Sequence, residues 1–275
     1  MSKKNEYIVL LLFMMIFNHS FAQTSAQSEN KILLTFDHLV VAVEDLDSAA
    51  AYFNSLGFTI KSGRVHANSI SNKLIEFCDG SEIELLSVSK PKDELSQWYY
   101  DLIKESGEGT TAFIAYRLAE LDEAEKLKSV MNNNKINFIN TSYGYAEIIS
   151  FPVNSDLHPI FFIAYKSENN NHIEYCSHIN SAKQVGQISF HNSYKSNYEG
   201  LFELITDQTL DELKLLSDVD KSANRFFKIS FITESIDDVS KKLKQSGIGF
   251  LEKQGVLKLI EEKFGLEISF RKSEE

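Results

Sequence analysis

Residues 36–43 read Phe-Asp-His-Leu-Val-Val-Ala-Val, apolar and rich in β-branched side chains, which predicts a strand buried on both faces. Asp45 or Asp47 supplies an N-cap, and Ala49, Ala50, Tyr52, Phe53 and Leu56 mark a helix that stops at Gly57. Strands over 58–61, over 64–77 with a break near Asn68, and over 82–88 follow, with Asp79-Gly80 as a hairpin signal between the last two. The unit is β-α-β-β-β. After a helix over 95–105 the order recurs, with a strand at 110–117, a helix at 119–132 and strands at 136–139, 145–153 and 159–165. A clearer copy closes the chain: strand 226–232, helix 236–245, then strands 249–252, 256–261 and 266–271. Between these, a strand over 187–194, a helix over 198–205 and a polar run over 206–224 read as a third copy reduced to its beginning. The pattern predicts an α+β fold of tandem βαβββ modules, with one pair of modules over 34–180 and a degenerate pair over 181–275.

The N-terminus follows a different pattern. Lys3 and Lys4 precede ten apolar residues, Ile8 to Phe17, and the segment closes on Ala22, the order of a cleavable secretory signal peptide over 1–22. Ten apolar residues are about half of a bilayer span. Residues 23–33 read as a flexible arm, and the expected location is periplasmic or secreted.

Charge and composition narrow the partners. The formal net charge is −11, with 28 basic against 39 acidic residues and no basic run longer than a pair, so nucleic acid and anionic membrane are excluded as expected partners. The 2 cysteines, Cys78 and Cys176, lie far apart in sequence and define no geometry; two buried free thiols are the expected state, with a disulfide as the alternative. His172, His178 and His191 read as surface or turn residues, and Trp98-Tyr99-Tyr100 as a packed helix face.

Several motifs carry a resemblance. The opening Phe36 to Val43 with Asp45-Leu46-Asp47, Tyr52-Phe53 and Leu56-Gly57-Phe58 resembles a vicinal-oxygen-chelate module, the fold of glyoxalase I, bleomycin-resistance proteins and extradiol dioxygenases. Gly63-Arg64-Val65-His66, Asn72-Lys73-Leu74-Ile75, the run Glu82 to Val88, His158-Pro159-Ile160-Phe161-Phe162 and His178-Ile179-Asn180-Ser181-Ala182 resemble the glyoxalase-like domain family of that superfamily. The chain departs from the family where Ser69-Ile70-Ser71 replaces a Gly-Thr pair before Asn72.

The resemblance implies a divalent metal, Zn, Ni, Fe or Mn, on the concave face of the sheet. Strand alternation places Leu39, Val41 and Val43 toward the helices and His38, Val40 and Ala42 into the trough; likewise Ile83, Leu85 and Ser87 face the helices and Glu84 the trough. His38 and Glu84 are therefore the candidate metal ligands, Glu84 and His66 the candidate catalytic groups, and His66, Asn72 and His158 the candidate substrate contacts. Aligning the second module puts Thr111 and Phe161 where a second His and Glu would sit, so the four-ligand arrangement is absent and His66 would have to complete a set of three.

Phosphate loops, His-Glu-x-x-His helices, Cys-x-x-Cys pairs and nucleophile elbows are absent from the sequence. Three functions stay open: metal-dependent lyase, isomerase or dioxygenase-type chemistry on a small substrate; non-catalytic small-molecule sequestration, as in bleomycin-resistance proteins; or a partner-binding role, with a homodimer as one possibility.

Overall fold

The computed structural model describes residues 31–167, 174–219 and 226–273. The leader and the start of the arm lie outside the described residues, as does His172. The end of the arm belongs to the fold: Ile32 is buried and its N–H donates to Ile205 O at 2.8 Å.

The first module comprises β1 (Leu34–Val43), α1 (Leu46–Ser55), β2 (Lys61–Val65), β3 (Ile70–Glu76) and β4 (Glu82–Val88). A connecting helix α2 (Glu94–Ser106) leads to β5 (Gly109–Leu118), α3 (Leu121–Asn133), β6 (Ile139–Ser142), β7 (Ala146–Ser150) and β8 (Ile160–Tyr165). The caps follow local chemistry. Asp45 accepts the N–H groups of Asp47 and Ser48, each at 2.9 Å, and Asp93 with Ser96 forms a capping box that starts α2. These strands make one sheet in the order β2-β3-β4-β1-β5-β8-β7-β6. β1 and β5 pair antiparallel at its centre, and each pairs parallel with the last strand of its own module.

The second sheet repeats this plan with fewer strands. It contains β9 (Ala182–His191), β10 (Leu215–Asp218), β11 (Phe226–Thr233), β12 (Phe250–Lys253), β13 (Val256–Leu259) and β14 (Glu267–Lys272), with α4 (Lys195–Ile205) and α5 (Ile236–Gln245). Its order is β10-β9-β11-β14-β13-β12. β10 pairs parallel with β9 as β4 does with β1, so the third module keeps its last strand as well as its beginning and lacks only the hairpin. The polar run hides this strand because Ser217 and Asp218 break the apolar signal.

The helix-facing sides of both sheets merge into one apolar core. Phe58 of the first module lies 4.7 Å from Phe231 and 6.0 Å from Phe270, ring centre to ring centre, and the Tyr116 hydroxyl donates to Leu213 O at 2.9 Å. The turn at 177–181 fastens the sheets together. Buried Asn180 donates from Nδ2 to Leu56 O at 3.0 Å and accepts Ala182 N–H at 3.1 Å, while its carbonyl accepts the Thr233 hydroxyl at 2.8 Å. Gly57 has φ +99°, and a Cβ there would sit 2.9 Å from that of Asn180, so glycine is required where the two segments meet.

Two expectations are corrected at this seam. Cys78 and Cys176 form a disulfide with Cα atoms 5.1 Å apart, because the Asp79-Gly80 turn brings Cys78 against the chain entering the Asn180 turn. His178 is buried, not a surface residue: its Nδ1 accepts Thr59 N–H at 3.0 Å and its ring packs on Phe58 and Phe77. Burial holds its pKa down at about 4.

Two predictions follow from the seam. Replacing both cysteines by serine opens a loop of 98 residues and should lower unfolding free energy by about 4 kcal/mol, read from urea titrations. The unfolded chain protonates its histidine near pH 6.5 and the folded chain near 4, so the stability His178 contributes is complete above 6.5 and lost progressively down to 4. Comparing wild type with His178→Gln at pH 7 and pH 4.5 should show wild type losing about 2 kcal/mol more on acidification.

Candidate functional site

The concave face of the first sheet is built around an irregularity in β1. Leu39 lies opposite Ile114, but the register slips between Phe36 and His38, leaving Asp37 as an extra residue. Regular alternation would send Asp37 to the helix side with Leu39; the bulge turns it to the trough beside His38. There Asp37 is 1% exposed and accepts three donors: His38 Nδ1 at 2.6 Å, Arg117 Nε at 2.6 Å and the Tyr165 hydroxyl at 3.1 Å. Arg117 also donates to Gly80 O at 2.9 Å. Burial alone would raise the Asp37 pKa, but the hydrogen bond and charge of His38, then Arg117, hold it below the usual carboxylate range. An ionised carboxylate only accepts, so His38 Nδ1 carries hydrogen and Nε2 points at the trough. Burial pulls the His38 pKa down, and Asp37 first, then the charges of Glu84 and Glu82, raise it to about 9.

β3 and β4 supply the opposite charge. Glu84 Oε2 lies 3.7 Å from His38 Nε2, and its Oε1 accepts Asn72 Nδ2 at 2.6 Å. Asn72 Oδ1 in turn accepts the backbone N–H of Arg64 at 2.9 Å. A second bulge makes this possible, because Gly63 and Arg64 together face Asn72 between the Ser62–Lys73 and Val65–Ser71 pairs. A Cβ on Gly63 would lie 2.2 Å from Asn72 O, so only glycine permits the approach. Glu82 also lines the cavity, where burial, opposed by the His38 charge and aided by Asp37 and Glu76, lifts its pKa to about 7.

The second module contributes aromatic surface. Val40 pairs with Phe113 and His38 with Ala115 on either side of the Leu39–Ile114 pair, so the local two-fold axis exchanges His38 with Phe113. Val40 lies beside Glu84 and Ala115 beside Phe161, so it exchanges Glu84 with Phe161. The equivalent of His38 is therefore Phe113 and not Thr111, two residues earlier, and Thr111 donates instead to Phe226 O of the second sheet at 2.6 Å. Phe161 does match Glu84, as alignment indicated, and its ring meets His38 edge-on at 5.4 Å. Helix α2 covers the rest of the trough, packing Tyr99 and Ile103 with Trp98 onto Val40, Ala42, Leu86, Val88 and Phe113. What stays open is a cavity of about 550 Å³.

His38, Glu84 and Asn72 therefore converge on this cavity. His66 does not line it. The residue sits in the turn between β2 and β3, where its N–H donates to Ile70 O at 2.7 Å, and burial followed by the charge of Arg64 lowers its pKa. His158 packs behind Phe113 and Trp98 with Nδ1 2.9 Å from Phe151 O. The Ser69 that replaces a family glycine carries the positive φ of that turn, +69°, and Ile70 enters the strand. Sequence reasoning missed Asp37, Arg117 and Tyr165, which only the bulge and strand pairing bring together; Glu82, two positions before Glu84 on the same face, was accessible to the alternation argument.

The donor set does not fit a resident divalent metal. His38 and Glu84 are two donors; the second half-site offers Phe113 and Phe161, and no group of three or more His, Cys, Asp or Glu is arranged for a metal among the described residues.

The model of the glyoxalase-like domain matches residues 36–203, more than half of the chain. The chain belongs to the glyoxalase-like domain family. A comparison with curated proteins finds no match. Among solved structures, this glyoxalase-like protein is similar to a hypothetical protein from Staphylococcus aureus (TM-score 0.60, 14% identity, covering 88% of this chain and 100% of that one). It is also similar to the 2,3-dioxygenase LapB from Pseudomonas sp. KL28 (0.58, 11%, 89% and 94%) and to a catechol 2,3-dioxygenase (0.58, 11%, 88% and 88%). At these identities the likeness establishes the fold, tandem modules with curved mixed sheets.

Two measurements check the site. Gly63→Ala should force Asn72 away from β2 and cost about 2 kcal/mol in thermal or urea unfolding, with the backbone strand contact unable to relax as a side chain would. In NMR titrations the His38 ring should stay protonated to about pH 9 and lose that elevation in Asp37→Asn.

Proposed function

We propose that the trough binds a small molecule carrying a hydroxyl on a largely apolar or aromatic body, without a resident metal. The observation that carries this reading is the 3.7 Å separation of His38 Nε2 from Glu84 Oε2. The pair is too far apart for a good hydrogen bond, and a hydroxyl bridging them would accept from the imidazolium and donate to the carboxylate. Phe161, Ile148 and Ile163 on the facing wall suit the body of such a ligand. Two structural relatives are 2,3-dioxygenases, one of them a catechol 2,3-dioxygenase, which supports ligands of this size.

A second reading, metal-free isomerase or lyase chemistry, is favoured by Glu82: a carboxylate poised near neutrality beside an imidazolium forms an acid–base pair. We also propose export after cleavage at Ala22, which the Cys78–Cys176 disulfide supports because such bridges persist in oxidising compartments. A mature mass beginning at Gln23 checks it.

The deciding experiment is elemental mass spectrometry of purified protein with calorimetric titration of 1-naphthol and naphthalene. We expect no stoichiometric metal, a hydroxyl requirement, and a loss of affinity of about tenfold or more in His38→Ala and Glu84→Gln. Near-stoichiometric metal lost in both variants would overturn the metal-free reading; equal binding of both probes would overturn the hydroxyl bridge.

A further inference from the structure

The first sheet curls far enough for its two edges to meet. β2 and β6 stand at opposite ends of the eight-strand order, yet the Arg64 guanidinium on β2 lies 5.3 Å from the ring centre of Tyr145, in the turn that joins β6 to β7. Neither partner is arbitrary in its placement. The Gly63–Arg64 bulge and the Asn72 side chain fix the backbone that carries Arg64. On the other rim, Tyr143 N–H donates to Ala146 O at 2.8 Å, Lys166 N–H donates to Tyr145 O at 2.9 Å, and the rings of Tyr143 and Tyr145 stack at 5.7 Å.

Both Arg64 and Tyr145 line the cavity that holds His38 and Glu84, and both are exposed to solvent on their outer side. Among the described residues no carboxylate pairs with the Arg64 guanidinium, so the ring is its one partner across the gap. Helix α2 already fills the remainder of the concave face. The rim contact therefore borders the part of the trough that stays open.

We propose that Arg64 and Tyr145 form a gate: the cation–π contact parts to admit a ligand and re-forms over it, and Asn72 couples the gate to the site floor. One amide side chain holds both ends of that coupling, donating to Glu84 and accepting from Arg64 N–H, so a ligand that displaces the Glu84 carboxylate also shifts the strand that carries the guanidinium. A half-exposed cation–π contact is weak enough to open thermally, which suits a gate and would not suit a structural strut. The proposal rests on the small-molecule reading of the same cavity.

The test has two arms on the full-length mature protein. In ligand-free protein, Arg64→Met and Tyr145→Ala should speed amide hydrogen exchange over 61–65 and 142–146 and leave β1 and β4 unchanged, while Tyr145→Phe, which keeps the ring, should match wild type. In stopped-flow binding of 1-naphthol, the first two variants should raise association and dissociation rates together by about threefold, with affinity changed less than either rate. Unchanged exchange at both rims, or a rate change in dissociation alone, overturns the gate. If 1-naphthol fails to bind wild type, the ligand reading fails, and the exchange arm still decides whether the rims are latched.

Discussion

The buried carboxylate of Asp37 is the constraint on which the concave face depends. An ion 1% exposed at the centre of a sheet is tolerable only if donors surround it, and its three donors come from β1, β5 and β8. Satisfying it fixes the tautomer of His38, the direction of Nε2 and the position of Arg117 against the β3–β4 turn. Removing the carboxylate would leave buried His38 and half-buried Arg117 as cations with poorer partners, so the same group serves both fold and site. The bulge that makes this possible also turns two consecutive residues to one face, which regular strand geometry forbids.

The two modules of the first sheet carry opposite chemistry on one symmetric frame. Where the first places His38 and Glu84, the second places Phe113 and Phe161, and α2 seals the aromatic half. The result is a charged wall facing an apolar one. That contrast is the basis of the ligand we propose, polar at one end and apolar over its body.

Much of this was legible in the residues. Alternation in Leu39, Val41 and Val43 against His38, Val40 and Ala42 survives in the structure, as does the recurrence of β-α-β-β-β, because both depend on local periodicity. What sequence reasoning missed depends on partners distant in the chain. The bulges at Asp37 and Gly63 exist only relative to β5 and β3; the disulfide depends on a turn meeting a segment 98 residues later; and His178 is buried by a seam between sheets that no single module contains. The Thr111 alignment failed for the same reason, since only the Leu39–Ile114 pairing between strands shows that Phe113, two residues further on, stands in the place of His38.

The seam itself has a further consequence. The repeats place a boundary near residue 180. Asn180 instead sits at the junction of both, bonded to Leu56 on one side and Thr233 on the other, within a core continuous across the two sheets. Neither half presents a finished surface to water at that junction. A core shared in this way is expected to make the duplicated modules unfold together, and a cut at the apparent boundary would divide a hydrophobic interior and not a linker.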